Sequence, residues 1–149
     1  MHVPLTETYF FVTIRNMENT SILSHVSVGT NDYEKAKAFY STLLGTVGFS
    51  VIEDLAEYKC ISFGKKYPEF WVGQPMNNEP ATPGNGVHVS FLVDSKELVN
   101  AFHAKALELG ATDNGAPGPR EHYGAGYYGA FVIDPDGNKI EAMHWTEGV

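Results

Sequence analysis

The tripeptide His25-Val26-Ser27 occurs twice in this chain, because it returns 63 residues later as His88-Val89-Ser90. At the same offset, Ala38-Phe39 returns as Ala101-Phe102. Two matches at one spacing indicate an internal duplication in which each half is one supersecondary unit. The two histidines then occupy corresponding positions, and a site shared by the two units can use both.

Each half of the chain has the same order of predicted elements. A strand comes first, in which valines alternate with the polar residues of the tripeptide, as in a strand buried on one face. A helix follows, for which Asn31 with Glu34 and Asp94 with Glu97 are the cap candidates. The apolar stripes of the two helices are Ala36, Phe39, Tyr40, Leu43, Leu44 and Val47, then Leu98, Phe102, Ala106, Leu107 and Leu109.

Three short strands complete each unit, at 49–53, 58–63 and 69–72 in the first. In the second, Thr112 begins a short strand, and the last two strands cover 127–133 and 139–145. Residues 113–126 are rich in Gly and Pro and are predicted to form an irregular loop. Loops of this length in small domains often border binding sites.

These elements predict an α+β fold. Two paired βαβββ modules are expected to form a concave mixed sheet around a central cavity, with the helices on the outer face. We expect an N-terminal extension over 1–20 and a single domain over 21–149. The domain divides into module one at 21–76, a linker at 77–85 and module two at 86–149.

Composition restricts the classes of partner. A formal charge of −8 argues against a nucleic-acid or anionic-membrane surface, because no Lys/Arg run is present to neutralise phosphates. Cys60 is the only cysteine, which excludes an internal disulfide and fits a reducing compartment. The apolar run at 9–14 is too short to span a bilayer. A cytoplasmic protein with a small-molecule ligand is expected.

Alternation along the strands selects three candidate metal ligands. His25 and His88 lie on the strand faces opposite the valines, and Glu141 lies on the face opposite Ile140 and Ala142. All three are therefore expected to face one cavity. Two imidazoles and a carboxylate leave open positions on a divalent ion, as in catalytic metal sites. A metal-free pocket that uses the same residues for hydrogen bonding is the alternative.

The chain resembles the vicinal oxygen chelate superfamily, which includes glyoxalases, bleomycin-resistance proteins and extradiol dioxygenases. The resemblance covers about residues 21–146. It is carried by the two His-Val-Ser tripeptides, the helix at 36–44 and the segment YYGAFVIDPDGNKIE at 127–141. It implies paired βαβββ modules, often as a homodimer, with metal ligands at His25, His88 and Glu141. The implied cofactor is a divalent ion (Zn, Ni, Mn, Mg or Fe) that stabilises an enolate or oxyanion.

One position departs from the pattern of glyoxalase I enzymes, which place another glutamate at the end of module one. Aligning the last strands of the two modules puts Trp71 opposite Glu141, and only a different register would bring in Glu69. Tryptophan neither binds a metal nor moves protons. This position argues against lactoylglutathione lyase activity.

Further residues are candidates for substrate contact and proton transfer. Arg120 is a candidate clamp for an anionic substrate, and Tyr128 or His122 is a candidate proton donor if the loop folds inward. The remaining predicted substrate contacts are Trp71, Ser27, Ser90 and Tyr123.

The expected function is that of a glyoxalase-like, metal-dependent enzyme acting on a small oxygen-rich or thiol-adduct substrate. Two alternatives stay open. One is a metal-free, ligand-sequestering protein of the bleomycin-resistance type, for which the acidic charge suits a cationic ligand. The other is an Fe(II) enzyme of the extradiol dioxygenase type, which also uses two histidines and one carboxylate.

Overall fold

Both halves of the chain fold in the same element order in the computed structural model, which describes residues 21–146. The first half comprises β1 (Val26–Gly29), α1 (Tyr33–Thr46), β2 (Ser50–Leu55), β3 (Cys60–Gly64) and β4 (Phe70–Gly73). The second comprises β5 (His88–Leu92), α2 (Lys96–Glu108), β6 (Thr112–Pro119), β7 (Tyr127–Ile133) and β8 (Lys139–Trp145). The expected extension at 1–20 lies outside the described residues.

The strands form two four-stranded mixed sheets, in the orders β1-β4-β3-β2 and β5-β8-β7-β6. In each sheet the first strand of the module pairs parallel to the last, and the other pairs are antiparallel. The predicted α+β fold of two βαβββ modules is confirmed. Among the described strands, β1 and β5 each pair on one side only, so each is a sheet edge.

Each helix begins with a cap one residue later than the sequence pattern predicts. The Asp32 side chain accepts from the backbone amide of Lys35 at 3.0 Å, and Ser95 caps α2 in the same way. The predicted caps Asn31 and Asp94 are therefore wrong. Asn31 instead bonds the linker, because its side-chain amide both donates to and accepts from the backbone of Ala81.

The helices bury apolar faces against their own sheets and against each other. All six residues of the predicted α1 stripe are buried. In α2 the buried set is Val99, Phe102, His103 and Ala106, whereas Leu107 is exposed and was wrongly assigned to the stripe. In the described part of the chain, neither helix has the length and apolar character needed to cross a membrane.

β6 runs through the segment that was predicted to be a loop. It pairs with β7 over Thr112–Pro119, with register shifts on either side of Gly115. Asp113 fixes the strand to α2, because its carboxylate lies 2.9 Å from His103 Nε2 and accepts from the Gly115 amide. The bond from the Gly115 amide is the larger of two causes that lower the pKa of Asp113, and the contact with His103 is the second. The irregular part of the predicted loop is limited to the residues after Pro119.

The strand registers make Trp71 the structural counterpart of Glu141. In module one Ser27 pairs with Trp71, and in module two Ser90 pairs with Glu141. Because Ser27 and Ser90 correspond in the repeat, Trp71 and Glu141 occupy equivalent strand positions. The predicted alignment of the two modules is confirmed.

The two modules are joined at the buried carboxylate of Asp134, in the turn between β7 and β8. It accepts four hydrogen bonds, from the Tyr40 hydroxyl at 2.5 Å, the Asn138 side chain and the amides of Asp136 and Asn138. The Asn138 side chain also donates to the Gly29 carbonyl at 3.0 Å. One turn in module two is thereby bonded to both the helix and the first strand of module one.

Removing the Tyr40 hydroxyl is expected to destabilise the chain, because one acceptor position of a buried carboxylate loses its donor. We expect Tyr40→Phe to lower the free energy of unfolding by about 1–3 kcal/mol at pH 7. Urea unfolding measures the difference. Tyr67→Phe, which changes a tyrosine that is 60% exposed, is the matched control. An equal, small loss in both variants contradicts the role given to Asp134.

The hydrogen bond between Tyr40 and Asp134 also makes the stability of the fold depend on pH. Burial and then the Asp134 charge raise the pKa of Tyr40 well above its ordinary value of 10.0. The contribution of Tyr40 is therefore complete below about pH 10 and is lost as the pH rises further, because the unfolded chain ionises first.

Candidate functional site

The face of module two opposite its helix holds a chain of three polar side chains. Glu141 on β8 is only 5% exposed. Its Oε2 lies 3.2 Å from Nε2 of His88 on β5, and its Oε1 accepts from the hydroxyl of Tyr127 on β7. The structure thus brings together two of the three predicted metal ligands and adds a phenol to them.

Tyr127 belongs to this cluster but was not among the site residues predicted from the sequence. Burial, followed by the bond to Glu141, raises the pKa of its hydroxyl. The ring extends along the strand over Gly129, where any Cβ would overlap the hydroxyl group. Strand alternation contains the missed signal, since Tyr127, Gly129 and Phe131 share a face and Phe131 pairs with Glu141.

Tyr128, predicted as a catalytic residue, lies on the other face of β7. Its hydroxyl donates to Asn100 of α2 at 2.8 Å, and the Lys96 ammonium lies 5.5 Å from its ring centre. Neighbouring residues of a strand point to opposite faces, so a tyrosine next to Tyr127 cannot reach Glu141. The position of Tyr128 is corrected to the helix side.

His25 lies just before β1, and its side chain is exposed. Its Nδ1 contacts the Ser24 hydroxyl at 3.2 Å. Within residues 21–146 of one chain, no group of three His, Cys, Asp or Glu side chains is arranged to hold a metal ion. His25 and His88 do line one groove of about 480 Å³ between β1 and β5, above the aromatic rings of Phe63, Phe70 and Phe91.

Trp71 and Ser27 lie on the face of module one opposite its helix. They line a cavity of about 780 Å³, together with His25, Cys60 and Tyr58. Burial is the main cause that raises the pKa of the Cys60 thiol.

Two other candidates lie beside the groove between β1 and β5. Ser90 lines the groove next to His88. Glu69, the alternative to Trp71, also lines it, and its carboxylate accepts from the Lys65 amide at 3.3 Å.

The predicted loop residues lie at the edge of the Glu141 site. Arg120 donates to the carbonyls of Ala116, Gly118 and Gly129, at 3.0, 3.2 and 2.7 Å. Most of its hydrogen-bonding capacity therefore holds β6 against β7. His122 and Tyr123 are exposed, and their ring centres lie 4.2 Å apart with the planes tilted by 50°. The Tyr123 ring packs edge-on against Tyr127 at 5.1 Å.

Comparison with known proteins identifies the family. The model of the Glyoxalase/Bleomycin resistance protein/Dioxygenase superfamily matches residues 22–142, and the chain belongs to this superfamily. No curated protein sequence matches the chain. A glyoxalase/bleomycin resistance protein from Albidiferax ferrireducens T118 is 39% identical, with a TM-score of 0.73 over 83% of this chain and 98% of that one.

More distant structures share the fold. A glyoxalase/bleomycin resistance protein/dioxygenase family enzyme from Burkholderia phytofirmans PsJN is 23% identical, with a TM-score of 0.63 over 84% of this chain and 99% of that one. A lactoylglutathione lyase from Agrobacterium tumefaciens is 19% identical, with a TM-score of 0.58 over 85% and 95%. At these identities the likeness extends to the fold alone.

A side chain at position 129 is expected to displace Tyr127 from Glu141. We expect Gly129→Ala to cost about 1–3 kcal/mol of unfolding free energy, because the added Cβ overlaps the phenol. The control is Gly118→Ala, at the residue paired with Gly129 on β6, where a Cβ meets no atom within 4 Å. In a double-mutant cycle, Tyr127→Ala should couple to Gly129→Ala by about 1 kcal/mol or more. Strict additivity contradicts the proposed overlap.

Proposed function

We propose that this chain is a metal-dependent enzyme of the glyoxalase type that acts on a small oxygen-rich or thiol-adduct substrate in the cytoplasm. The observation that carries the proposal is the contact of 3.2 Å between His88 and the buried carboxylate of Glu141. A histidine and a carboxylate on adjacent strands, joined at one edge of a concave face, form two thirds of a metal site.

The donor chemistry of this pair fits a divalent ion. An imidazole nitrogen and a carboxylate oxygen are ligands for Zn, Fe, Ni and Mn, and Mg accepts the carboxylate. Tyr127 donates to Oε1 of Glu141 and leaves Oε2 on the side of His88. Such an outer hydrogen bond orients a ligand and fixes which oxygen it presents. A bound divalent ion supplies Lewis-acid stabilisation of an enolate or oxyanion.

The third ligand of the proposal is His25 of a second copy of the chain. Within one chain His25 stands apart from the pair, and the described strands β1 and β5 are both unpaired on one edge. Neither strand carries a charged residue or a proline along VSVG and HVSFL, the usual protection of a free edge. A homodimer that covers these edges is the assembly that the site requires.

Trp71 argues for a reaction other than that of lactoylglutathione lyase. It occupies the strand position equivalent to Glu141, so module one supplies an indole where a second acid would stand. An indole packs against apolar or planar parts of a ligand. The proposed site is therefore asymmetric, with its acid–base groups in module two and an apolar wall in module one.

The metal proposal is tested by elemental analysis of the purified protein after loading and desalting. We expect about one divalent ion per chain in the wild type and little or none in His88→Ala, because a ligand is lost. His144→Ala, which removes an imidazole that contacts the Val93 carbonyl at 3.0 Å on the other face of β8, is the matched control and should retain the metal.

The opposing outcome identifies the alternative function. If the wild type holds no Zn, Ni, Mn, Mg or Fe and its melting temperature is unchanged by EDTA, the enzyme proposal is wrong. Stabilisation by a cationic ligand that is equally indifferent to the chelator then favours metal-free sequestration.

A further inference from the structure

A separate cavity of about 430 Å³ adjoins the outer side of His88. It is lined by the turn at 83–87, by His88, and by Gly137 and Lys139 at the start of β8. No Asp or Glu lines this cavity, in a chain that carries 18 acidic residues against 10 basic ones. The cavity is therefore a locally basic place on an acidic protein.

Lys139 supplies the positive charge of this cavity. It is half-buried and is the residue paired with His88 in the parallel ladder between β5 and β8. Its ammonium lies 4.8 Å from the ring centre of Phe131, and within residues 21–146 it forms no ion pair with a carboxylate. A cation–π contact positions an ammonium without neutralising it, so this charge stays available to an anion.

The turn at 83–87 contributes polar groups as well as shape. The Val87 amide donates to the Gly84 carbonyl at 3.1 Å, whereas the Asn85 and Gly86 amides and the Asn85 side chain form no bond within the described chain. Gly137 has a φ of +92°, and a Cβ there would stand 3.1 Å from Pro83, so the two turns are packed closely together. Free amides beside a cation are typical of oxyanion sites.

We propose that this cavity is an oxyanion subsite in which Lys139 and the turn at 83–87 bind a carboxylate or phosphate group. Binding itself requires no metal. That the bound anion belongs to the substrate rests on the proposed function, since His88 is shared between the cavity and the Glu141 pair. The substrate class is then a small organic anion whose charged group lies outside His88 and whose reacting oxygens lie at Glu141.

The probes for the test are inorganic phosphate and acetate, each titrated at constant ionic strength against chloride with the full chain. We expect one or both to raise the melting temperature of the wild type, and the more effective one identifies the group. Lys139→Gln should weaken that binding by about tenfold or more, because a charge-assisted contact is lost. Lys139→Arg should retain it.

Lys96→Gln is the matched control, because this ammonium also lies over an aromatic ring, that of Tyr128, but on the helix side of the sheet. It should bind the probes as the wild type does. Asn85→Asp, in an exposed turn, should abolish binding because its new negative charge repels the anion. This variant tests the proposal if Lys139→Gln fails to fold. A wild type whose melting temperature is unchanged by both anions overturns the proposal, as does binding as strong as that of the wild type in both Lys139→Gln and Asn85→Asp.

Metal content measured on the same samples separates the two proposals. Lys139→Gln is expected to keep the metal that His88→Ala loses. If the protein binds the anion but no metal, the subsite proposal is retained and the proposed enzyme function is wrong. If the protein binds metal but neither anion, only the subsite proposal is wrong.

Discussion

The buried carboxylate of Asp134 is the constraint on which the arrangement of this protein depends. A carboxylate enclosed in a protein must have its oxygens satisfied, and here the donors come from its own turn and from the helix of the other module. Asn138 extends the same cluster to the first strand of module one. The turn that starts β8 is therefore fixed relative to both modules, and Glu141 lies three residues into that strand.

The two halves of this duplicated scaffold differ in chemistry at equivalent positions. The two modules share a strand order and register, yet the equivalent positions hold Trp71 and Glu141. In module two, the Glu141 carboxylate is held between Tyr127 and His88, and Gly129 leaves room for the phenol. In module one, Trp71 and Ser27 of the same face line a cavity together with His25, Cys60 and Tyr58. The duplicated face is therefore asymmetric, with a carboxylate in module two and an indole in module one.

The sequence predicted the elements whose pattern is local and periodic. The stripe of α1 and the bounds of β7 and β8 agree with the structure because burial on one face fixes helical and strand periods. The start of β6 at Thr112 was predicted, but its extent to Pro119 was not, because its Gly and Pro residues carry no period and its anchor, the contact between Asp113 and His103, joins two elements. Within the site, the pairing of His88 with Glu141 follows from strand alternation. Alternation also distinguishes Tyr127 from Tyr128, whereas the separation of His25 depends on how whole modules pack.

Mixing two variants of the proposed metal site tests the central claim, that two copies of the chain complete one metal site. His25→Ala and His88→Ala chains, each depleted of metal, are dissociated together, reassociated and loaded. A mixed dimer rebuilds one site from His25 of one chain and the His88–Glu141 pair of the other, so random pairing should restore metal to about a quarter of all sites. Metal content no higher than the average of the two variants alone would contradict the account.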